Sequence, residues 1–249
     1  MDSYKYAIIN SFDRPNTTES DSDFNTNIIG GGFENLKQVA IAQVVLTNSF
    51  YNVDSTNNTI VFQEFNGSAN STRTATIATS GNYSLPNLIS ALGVAMSTAS
   101  AYSRTYTITT SPITELLTIT GSGGSFNVQP SGGLNLILGF SRNNASATGS
   151  SCTGSRIYNL TRYANLILSS NICKGDTFNT IVDASQGILD VIPIAQSLSG
   201  AIYTYQPPRY NWRNLSGDKV NQIRLTLTDD FNNVVNLNGG YISVYLIFR

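Results

Sequence analysis

Few residues in this sequence could carry catalytic chemistry, and histidine is absent from all 249 positions. Without histidine there is no Ser–His or Cys–His pair, no imidazole-bound metal and no general base whose unperturbed pKa lies near neutrality. Two carboxylate pairs remain: Asp229 and Asp230 lie at a predicted turn, and Asp183 and Asp190 have no evident partner chemistry. A glycosidase would need two converging carboxylates. We therefore expect no enzyme activity and no cofactor.

A run of alternating acidic residues has some features of a metal site. Glu19, Asp21, Asp23 and Asn25 alternate like calcium-loop ligands, but no glycine stands at the required turn and Gly30 takes the place of the closing glutamate. We predict a solvated acidic patch that binds no metal.

Residues 201–212, A-I-Y-T-Y-Q-P-P-R-Y-N-W, gather three tyrosines, the only tryptophan and an arginine around a Pro-Pro corner. These residue types are enriched at interface hot spots. They also line sugar sites, and they often close the end of a β-sandwich core. The segment is therefore compatible with structural packing, with a subunit interface and with a glycan site.

Charged residues form only 12% of the chain, 14 basic and 15 acidic, which is about half of the usual share of roughly 25%. They are spread out, so no basic stripe indicates binding to nucleic acid or to an anionic membrane. No run has the length of a membrane span or the pattern of a signal peptide. We expect Cys152 and Cys173 to be free thiols, as is usual in a reducing compartment. A surface of low charge suits contacts with copies of the chain or with partners.

The apolar residues recur mostly with the period of a β-strand. Ile223, Leu225 and Leu227 alternate with polar residues, and many short runs of this kind are separated by Gly, Asn and Ser turns. The last run, Y-I-S-V-Y-L-I-F, is apolar on both faces, so one face would fill a core and the other would need a cover such as a neighbouring subunit. The pattern predicts an all-β sandwich or jelly roll.

Two stretches depart from this pattern. After Ser84, a plausible N-cap, Leu88, Leu92 and Met96 recur at helical spacing and predict one amphipathic helix within a small β-helix-β region. Residues 13–32 are polar and end in three glycines. They predict a flexible arm that is either solvated or laid across a neighbour in an assembly.

Segments in colinear order over most of the chain resemble minor capsid proteins of virophages, Polinton-like viruses and related large DNA viruses. Their order carries the resemblance, since each segment alone could belong to many β proteins. They are I-I-N-S-F-D-R (8–14), D-F-N (23–25), V-V-L-T-N-S-F-Y-N-V (44–53), N-N-T-I-V-F (57–62), G-N-Y-S-L-P-N-L (81–88), Y-T-I-T and L-L-T-I-T (106–120), L-N-L-I-L-G-F (134–140), I-L-D-V-I-P-I (188–194) and I-R-L-T-L-T-D-D-F-N-N-V-V-N-L-N-G (223–239).

The resemblance implies a penton protein: a single jelly roll that assembles as a homopentamer at icosahedral vertices, beside a double jelly-roll major capsid protein. It implies an N-terminal strand and flexible arm over residues 1–35, a jelly roll over 36–65 and 146–249, and an inserted β-helix-β region over 66–145. It provides no catalytic, cofactor or metal residues, and it requires no nucleic-acid contact and no membrane segment. The expected location is the virion, at the capsid vertex, after assembly inside the infected host cell.

The residues expected to contact other subunits are aromatic and arginine side chains near the N-terminus and in residues 201–212. They are Phe12, Arg14, Phe24, Tyr203, Tyr205, Arg209, Tyr210 and Trp212. The alternative function is a carbohydrate-binding or host-attachment module on a jelly-roll scaffold, in which the aromatic residues near the Pro-Pro turn bind a glycan.

Overall fold

The structure, a computed structural model, consists mainly of short antiparallel strands, which confirms the all-β prediction. It describes residues 4–28, 32–140, 149–175, 177–179, 184–194 and 200–249. A 3₁₀ turn, Ser11–Asp13, follows the first strand. The strands and helices, in chain order, are Lys5–Asn10 (β1), Asp23–Asn27 (β2), Phe33–Glu34 (β3), Gln38–Thr47 (β4), Thr59–Phe65 (β5), Asn70–Thr76 (β6), Leu85–Ala99 (α1), Tyr106–Thr110 (β7), Leu117–Gly121 (β8), Phe126–Gln129 (β9), Asn135–Leu138 (α2), Ser151–Thr153 (β10), Asn165–Ser170 (β11), Thr177–Asn179 (β12), Ala184–Gln186 (β13), Ile188–Pro193 (β14), Ile202–Tyr205 (β15), Arg213–Asn214 (β16), Lys219–Val220 (β17), Gln222–Thr228 (β18) and Ile242–Phe248 (β19).

The chain divides into two compact units, each with its own core. Residues 1–50 and 163–249 form the first unit, and residues 51–162 form the second. The second unit is thus an insertion between β4 and β11. Both cysteines are buried and neither is in a disulfide; Cys152 lies in the second unit and Cys173 in the first.

The first unit is a sandwich of two antiparallel sheets. Sheet A has the order β1-β19-β4-β15, with β16 also paired to β4, and sheet B has the order β14-β11-β18-β2. If these eight main strands are numbered one to eight along the chain, the orders become 1-8-3-6 and 5-4-7-2. This is the arrangement of two Greek keys that defines a jelly roll, so the predicted fold is confirmed.

Alternation along the strands fills the core between the two sheets. Ile223, Leu225 and Leu227 of β18 are buried, as their spacing predicts, and they belong to the same core as Val244 and Leu246 of β19. The polar residues between them point to the other side of each sheet because successive side chains in a strand alternate. Each sheet therefore has an outer face of its own.

The N-terminal residues are part of the sandwich, whereas the sequence predicted a strand and a flexible arm. β1 pairs with β19 along its whole length, and β2 pairs with β18. The stretch between β1 and β2 is polar, which led to the prediction of a flexible arm, but its side chains form hydrogen bonds within the chain. The Arg14 guanidinium pairs with Asp21, and the Glu19 carboxylate accepts a bond of 2.7 Å from the backbone N–H of Asn25. The first two glycines of the predicted hinge lie outside the described residues.

The second unit contains two three-stranded sheets and the predicted helix. One sheet has the order β6-β5-β9, the other has the order β10-β8-β7, and α1 contacts both β6 and β7. Leu88, Leu92 and Met96 are fully buried, and the Ser84 side chain caps the first turn. Helix and sheets therefore share one core.

The boundaries of the insertion differ from the predicted 66–145. β5 pairs with β6 and β9 rather than with a jelly-roll strand, and β10 pairs with β8. Residues 36–65 were predicted to belong to the jelly roll, which would place β5 in the same sandwich as β4. Instead, side-chain hydrogen bonds stabilise the loop at residues 52–57. Asn57 Nδ2 donates to the Asn52 carbonyl at 3.0 Å, and Asp54 Oδ1 accepts from the Thr56 backbone N–H at 2.8 Å.

Candidate functional site

The outer face of sheet A, which we call the A face, is largely apolar. The cross-strand register aligns Tyr6 with Ile247 and Ile8 with Tyr245, and in the next strand aligns Val45 with Ser243. None of these residues belongs to the apolar cluster between the two sheets, whose members occupy the alternate positions of the same strands, although Ile247 is itself only 1% exposed. The residues of β1, β19, β4 and β15 that share the outward alternation include no charged side chain: Tyr6, Ile8, Asn10, Ser243, Tyr245, Ile247, Ala40, Gln43, Val45, Thr47, Ile202 and Thr204.

Several of these side chains are open to solvent despite being apolar. Tyr6 is 63% exposed, Ile8 is 68% exposed and Ile202, on the opposite edge of the sheet, is 62% exposed. Scattered exposed apolar residues are ordinary on protein surfaces, but a contiguous group marks an interaction site. Tyr6 and Ile8 form such a group at the β1 edge of the A face, and Ile202 lies at its β15 edge; Ile247 and Ala40, on the two strands between, are only 1% and 0% exposed.

Aromatic residues border the A face near both ends of β1. After β1, the exposed Phe12 ring packs on Tyr241, with centroids 5.2 Å apart. Before β1, Tyr4 stacks on Trp212 at 6.1 Å, and Tyr210 meets the same indole edge-on at 5.8 Å. Three of the predicted contact residues, Phe12, Tyr210 and Trp212, are therefore associated with one surface.

The Trp212 indole is already engaged within the chain. The Arg249 guanidinium lies over the ring, 4.2 Å from its centroid, in a cation–π contact, and the same guanidinium donates to Gln38 Oε1 at 2.8 Å through Nε. A sugar that stacked on this face of the indole would have to displace Arg249. In the alternative of a glycan site at this cluster, the Trp212 face that a sugar would stack on is thus covered by Arg249.

Two of the predicted residues, Tyr203 and Tyr205, close the sandwich. They occupy the inward positions of β15, and both pack against the core. The Tyr203 hydroxyl donates to the Pro193 carbonyl, and the Tyr205 hydroxyl donates to Asp190 Oδ2 at 3.1 Å. Burial, followed by the nearby negative charge of Asp190, raises the pKa of Tyr205 to about 12. These hydroxyls join sheet A to the edge strand of sheet B.

The remaining three predicted residues lie in different surroundings. Phe24 is 1% exposed and belongs to the core, so its predicted interface role is corrected: alternation in β2 turns its ring between the sheets. Arg14 is mostly buried and paired with Asp21. Arg209 is exposed in the loop before β16.

Sequence reasoning missed Tyr6, Ile8 and Ile202. In Y-K-Y-A-I-I-N both sets of alternate positions contain apolar residues, so the period alone does not tell which set faces the core. The only signal was the last strand, whose two apolar faces predicted a second cover. β19 lies between β1 and β4 at the centre of the A face.

The outer face of sheet B is polar along β2 and β18, whereas Val191 on its edge strand β14 is 44% exposed. Arg224 binds Asp23 through two nitrogens, Nε at 2.9 Å and Nη2 at 2.8 Å, and Thr226 Oγ1 donates to the same carboxylate at 3.0 Å. The hydrogen bond from Arg224 holds the pKa of Asp23 below its ordinary value. A groove of about 410 Å³ opens beside this pair and is lined in addition by Ser, Thr and Asn residues and by the exposed Val234.

The acidic run that resembled a calcium loop uses its carboxylates internally, as ion-pair partners of Arg14 and Arg224 and as the acceptor for Asn25. Within the described ranges, no group of three or more His, Cys, Asp or Glu side chains is placed to hold a metal ion. In the same part of the chain, no helix has the length and apolarity needed to cross a membrane.

Comparison with known proteins adds one family and one fold. No protein of curated function matches the chain in sequence. Among solved structures, the chain is similar to the crystal structure of the selenomethionine-labelled mavirus penton protein, with a TM-score of 0.57 and 10% identity over 99% of both chains. The model of a family of unknown function, DUF5901, matches residues 22–239. Because that match spans most of the sequence, the chain belongs to the DUF5901 family.

Proposed function

We propose that the protein is a penton subunit of a viral capsid, which assembles as a homopentamer at icosahedral vertices and contacts a double jelly-roll major capsid protein. The observation that carries the proposal is the likeness to the mavirus penton protein over 99% of both chains. A match of this extent includes the insertion as well as the jelly roll. The role is structural rather than enzymatic, and it requires no nucleic-acid contact.

The physical mechanism is the burial of surface repeated by symmetry. A contact between two different patches of a subunit can close after five copies and give a ring, whereas a patch that binds itself gives a dimer. Lateral surfaces must lose their hydration in such a ring. Uncharged side chains lose it at lower free-energy cost than Lys or Glu do. The low charge of the chain, 12%, supports this use.

The location that follows is the vertex of the virion, reached after assembly in the infected host cell. Contacts that are weak singly become strong when several form together. An isolated subunit can therefore stay monomeric until the major capsid protein is present. The experiment has to include both conditions.

The proposal is tested by native mass spectrometry over a concentration series, with and without the major capsid protein of the same virus. We expect a species of five chains of 26.8 kDa, about 134 kDa, in at least one of the two conditions. A chain that stays monomeric and does not bind the major capsid protein would contradict the proposal. In that case a glycan array with wild type and Trp212→Ala would test the attachment-module alternative.

A further inference from the structure

We infer that the A face of one subunit binds the outer face of sheet B of a second copy of this chain. The inference rests on the proposed function, because it names the two surfaces through which a ring of copies would close. It commits to a second copy as the occupant of the A face. The major capsid protein and a second A face are the competing occupants that the test must separate.

The A face has the size and chemistry of one side of a subunit contact. A large side chain has about 150–250 Å² to bury, so Tyr6, Ile8 and Ile202, together with Tyr4 and Phe12 at the borders, present on the order of 500 Å² of apolar surface. Of the other outward residues, Ala40, Ser243 and Ile247 are at most 8% exposed and add little. A standard interface buries about 800 Å² per partner. The face thus supplies a large part of one standard contact.

A closed ring needs a second, different patch on each subunit. Sheet B lies on the opposite side of the sandwich from the A face, and its outer face meets this requirement. Two such subunits placed side by side in the same sense would bring an A face against an outer face of sheet B. The same step repeated is the head-to-tail geometry from which rings are built.

The groove on sheet B presents groups that suit the A face. Val234 lines it and is 49% exposed, and the half-buried Ser169 and Thr226 line it with hydroxyl groups. A tyrosine side chain has an apolar ring and a polar tip, so Tyr6 and Tyr245 of the A face match this mixed lining.

The charges of the groove are compatible with an uncharged partner. Asp23 and Arg224 already neutralise each other through two hydrogen bonds, so an uncharged face would not leave either of them without a counter-ion on burial. A partner with exposed Lys or Glu would have to desolvate those charges without an acceptor or donor to receive them. The outward positions of the A face contain none.

The first test compares the assembly of lysine variants. Ile8→Lys introduces a charge into the A face, and Ser169→Lys introduces one into the groove. The matched control is Ile113→Lys, since Ile113 is 91% exposed and lies in the second unit. We expect each face variant to raise the concentration for half-assembly of the pentamer at least tenfold, and the control to leave it unchanged.

The second test identifies which patches meet. Cys152 and Cys173 are 2% and 6% exposed, so a short bismaleimide will react mainly with cysteines introduced at the surface. Ile8→Cys and Ser169→Cys proteins are treated alone and after mixing and reassembly. We expect cross-linked dimers only in the mixture, because the contact joins different patches.

The outcomes separate the inference from the proposed function. A wild-type chain that never forms a fivefold species refutes the proposed function itself. Two results would overturn the inference and leave the proposed function intact. One is that both lysine variants still form the pentamer at the wild-type concentration, and the other is that Ile8→Cys protein forms cross-linked dimers by itself. Cross-linking of Ile8→Cys to the major capsid protein instead of to Ser169→Cys would assign the A face to that partner and would also overturn it.

Discussion

Glu64 shows how the second unit satisfies a buried carboxyl group. It is fully buried and accepts hydrogen bonds from Ser100 Oγ at 2.6 Å, from the backbone N–H of Ala101 at 2.7 Å and from the Tyr106 hydroxyl at 2.8 Å. The neighbouring Arg104 donates to two backbone carbonyls. These bonds tie the end of α1 to β5, and each of them is made where water cannot replace it.

Replacing Tyr106 by Phe should destabilise the second unit by about 1–3 kcal/mol, because the change removes one hydrogen bond to a buried acceptor. The ring contacts of Tyr106 with Phe62 and Phe126 are kept by the substitution. The control is Tyr102→Phe, whose hydroxyl bonds at the surface. Urea unfolding of both variants measures the difference, and equal effects would contradict the role given to the Glu64 network.

Tyr205 should make the stability of the jelly roll sensitive to alkaline pH. Its pKa is about 12 in the folded chain and about 10 in an unfolded chain. The folded state therefore keeps this proton where the unfolded state has lost it. The contribution to stability is complete below pH 10 and is lost as the pH rises towards 12. The free energy of unfolding should fall less steeply over pH 10–12 in Tyr205→Phe than in wild type, and parallel slopes would refute the assignment.

Helix α2 ends at a glycine that no other residue can replace without strain. Gly139 has a φ of 78° and caps the helix. A Cβ at this position would lie 2.0 Å from the Arg156 carbonyl oxygen. The backbone N–H groups of Ser155 and Arg156 both donate to the Gly139 carbonyl, at 3.0 Å each, which fixes the close approach.

Gly139→Ala should therefore cost about 2–4 kcal/mol of stability, from the left-handed backbone and the clash together. Gly123→Ala is the matched control, because a Cβ there meets open space. Its effect should stay within about 0.5 kcal/mol. Thermal unfolding of both variants gives the comparison, and a Gly139 variant as stable as the control would show that the loop can move aside.

The strands and the helix were predictable where local pattern decides the outcome. In β18 and α1 the opposite faces differ in polarity. The spacing of the apolar residues therefore predicts which face of each element is buried. The partner of β5 was not predictable in this way. The partners of a strand depend on contacts that its own residues do not encode, so the prediction that β5 belongs to the jelly roll was wrong.

The candidate site was predictable only in part, and for the same reason. Tyr203 and Tyr205 are alternate residues of β15, and the sequence does not say which of the two sets of alternate positions faces the core. The structure turns them inward and leaves Ile202 outward. Aromatic residues outside the strands, such as Phe12 and Trp212, were recognised by type, but their association with the A face needed the register of β1 and β19.

As a whole, the molecule is a jelly roll interrupted once. The chain leaves the first unit after Phe50 and returns at Tyr163, and the rings of these two residues are in edge-to-face contact with centroids 5.2 Å apart. All eight main strands of the sandwich lie outside the interruption. The exit and return points are thus close enough to be joined directly.

Replacing residues 51–162 by a short Gly-Ser linker should leave a folded jelly roll. The new loop joins neighbouring points, so its closure entropy is small, and no strand of either main sheet is lost. Circular dichroism and a cooperative thermal transition report folding, and native mass spectrometry reports whether assembly persists. A collapsed chain without near-ultraviolet signal would show that the insertion is required for the jelly roll to fold.

The pairing of β1 with β19 has a consequence during biosynthesis. Among the strands that the structure describes, β1 pairs in its sheet with β19 alone, more than 230 positions later in the sequence. A ribosome adds about 5–20 residues per second, so β1 waits on the order of ten seconds or more before β19 emerges. Through that interval the apolar residues of β1 have no completed sheet to join. Sheet A can therefore take up β1 only after almost the whole of the jelly roll has been synthesised.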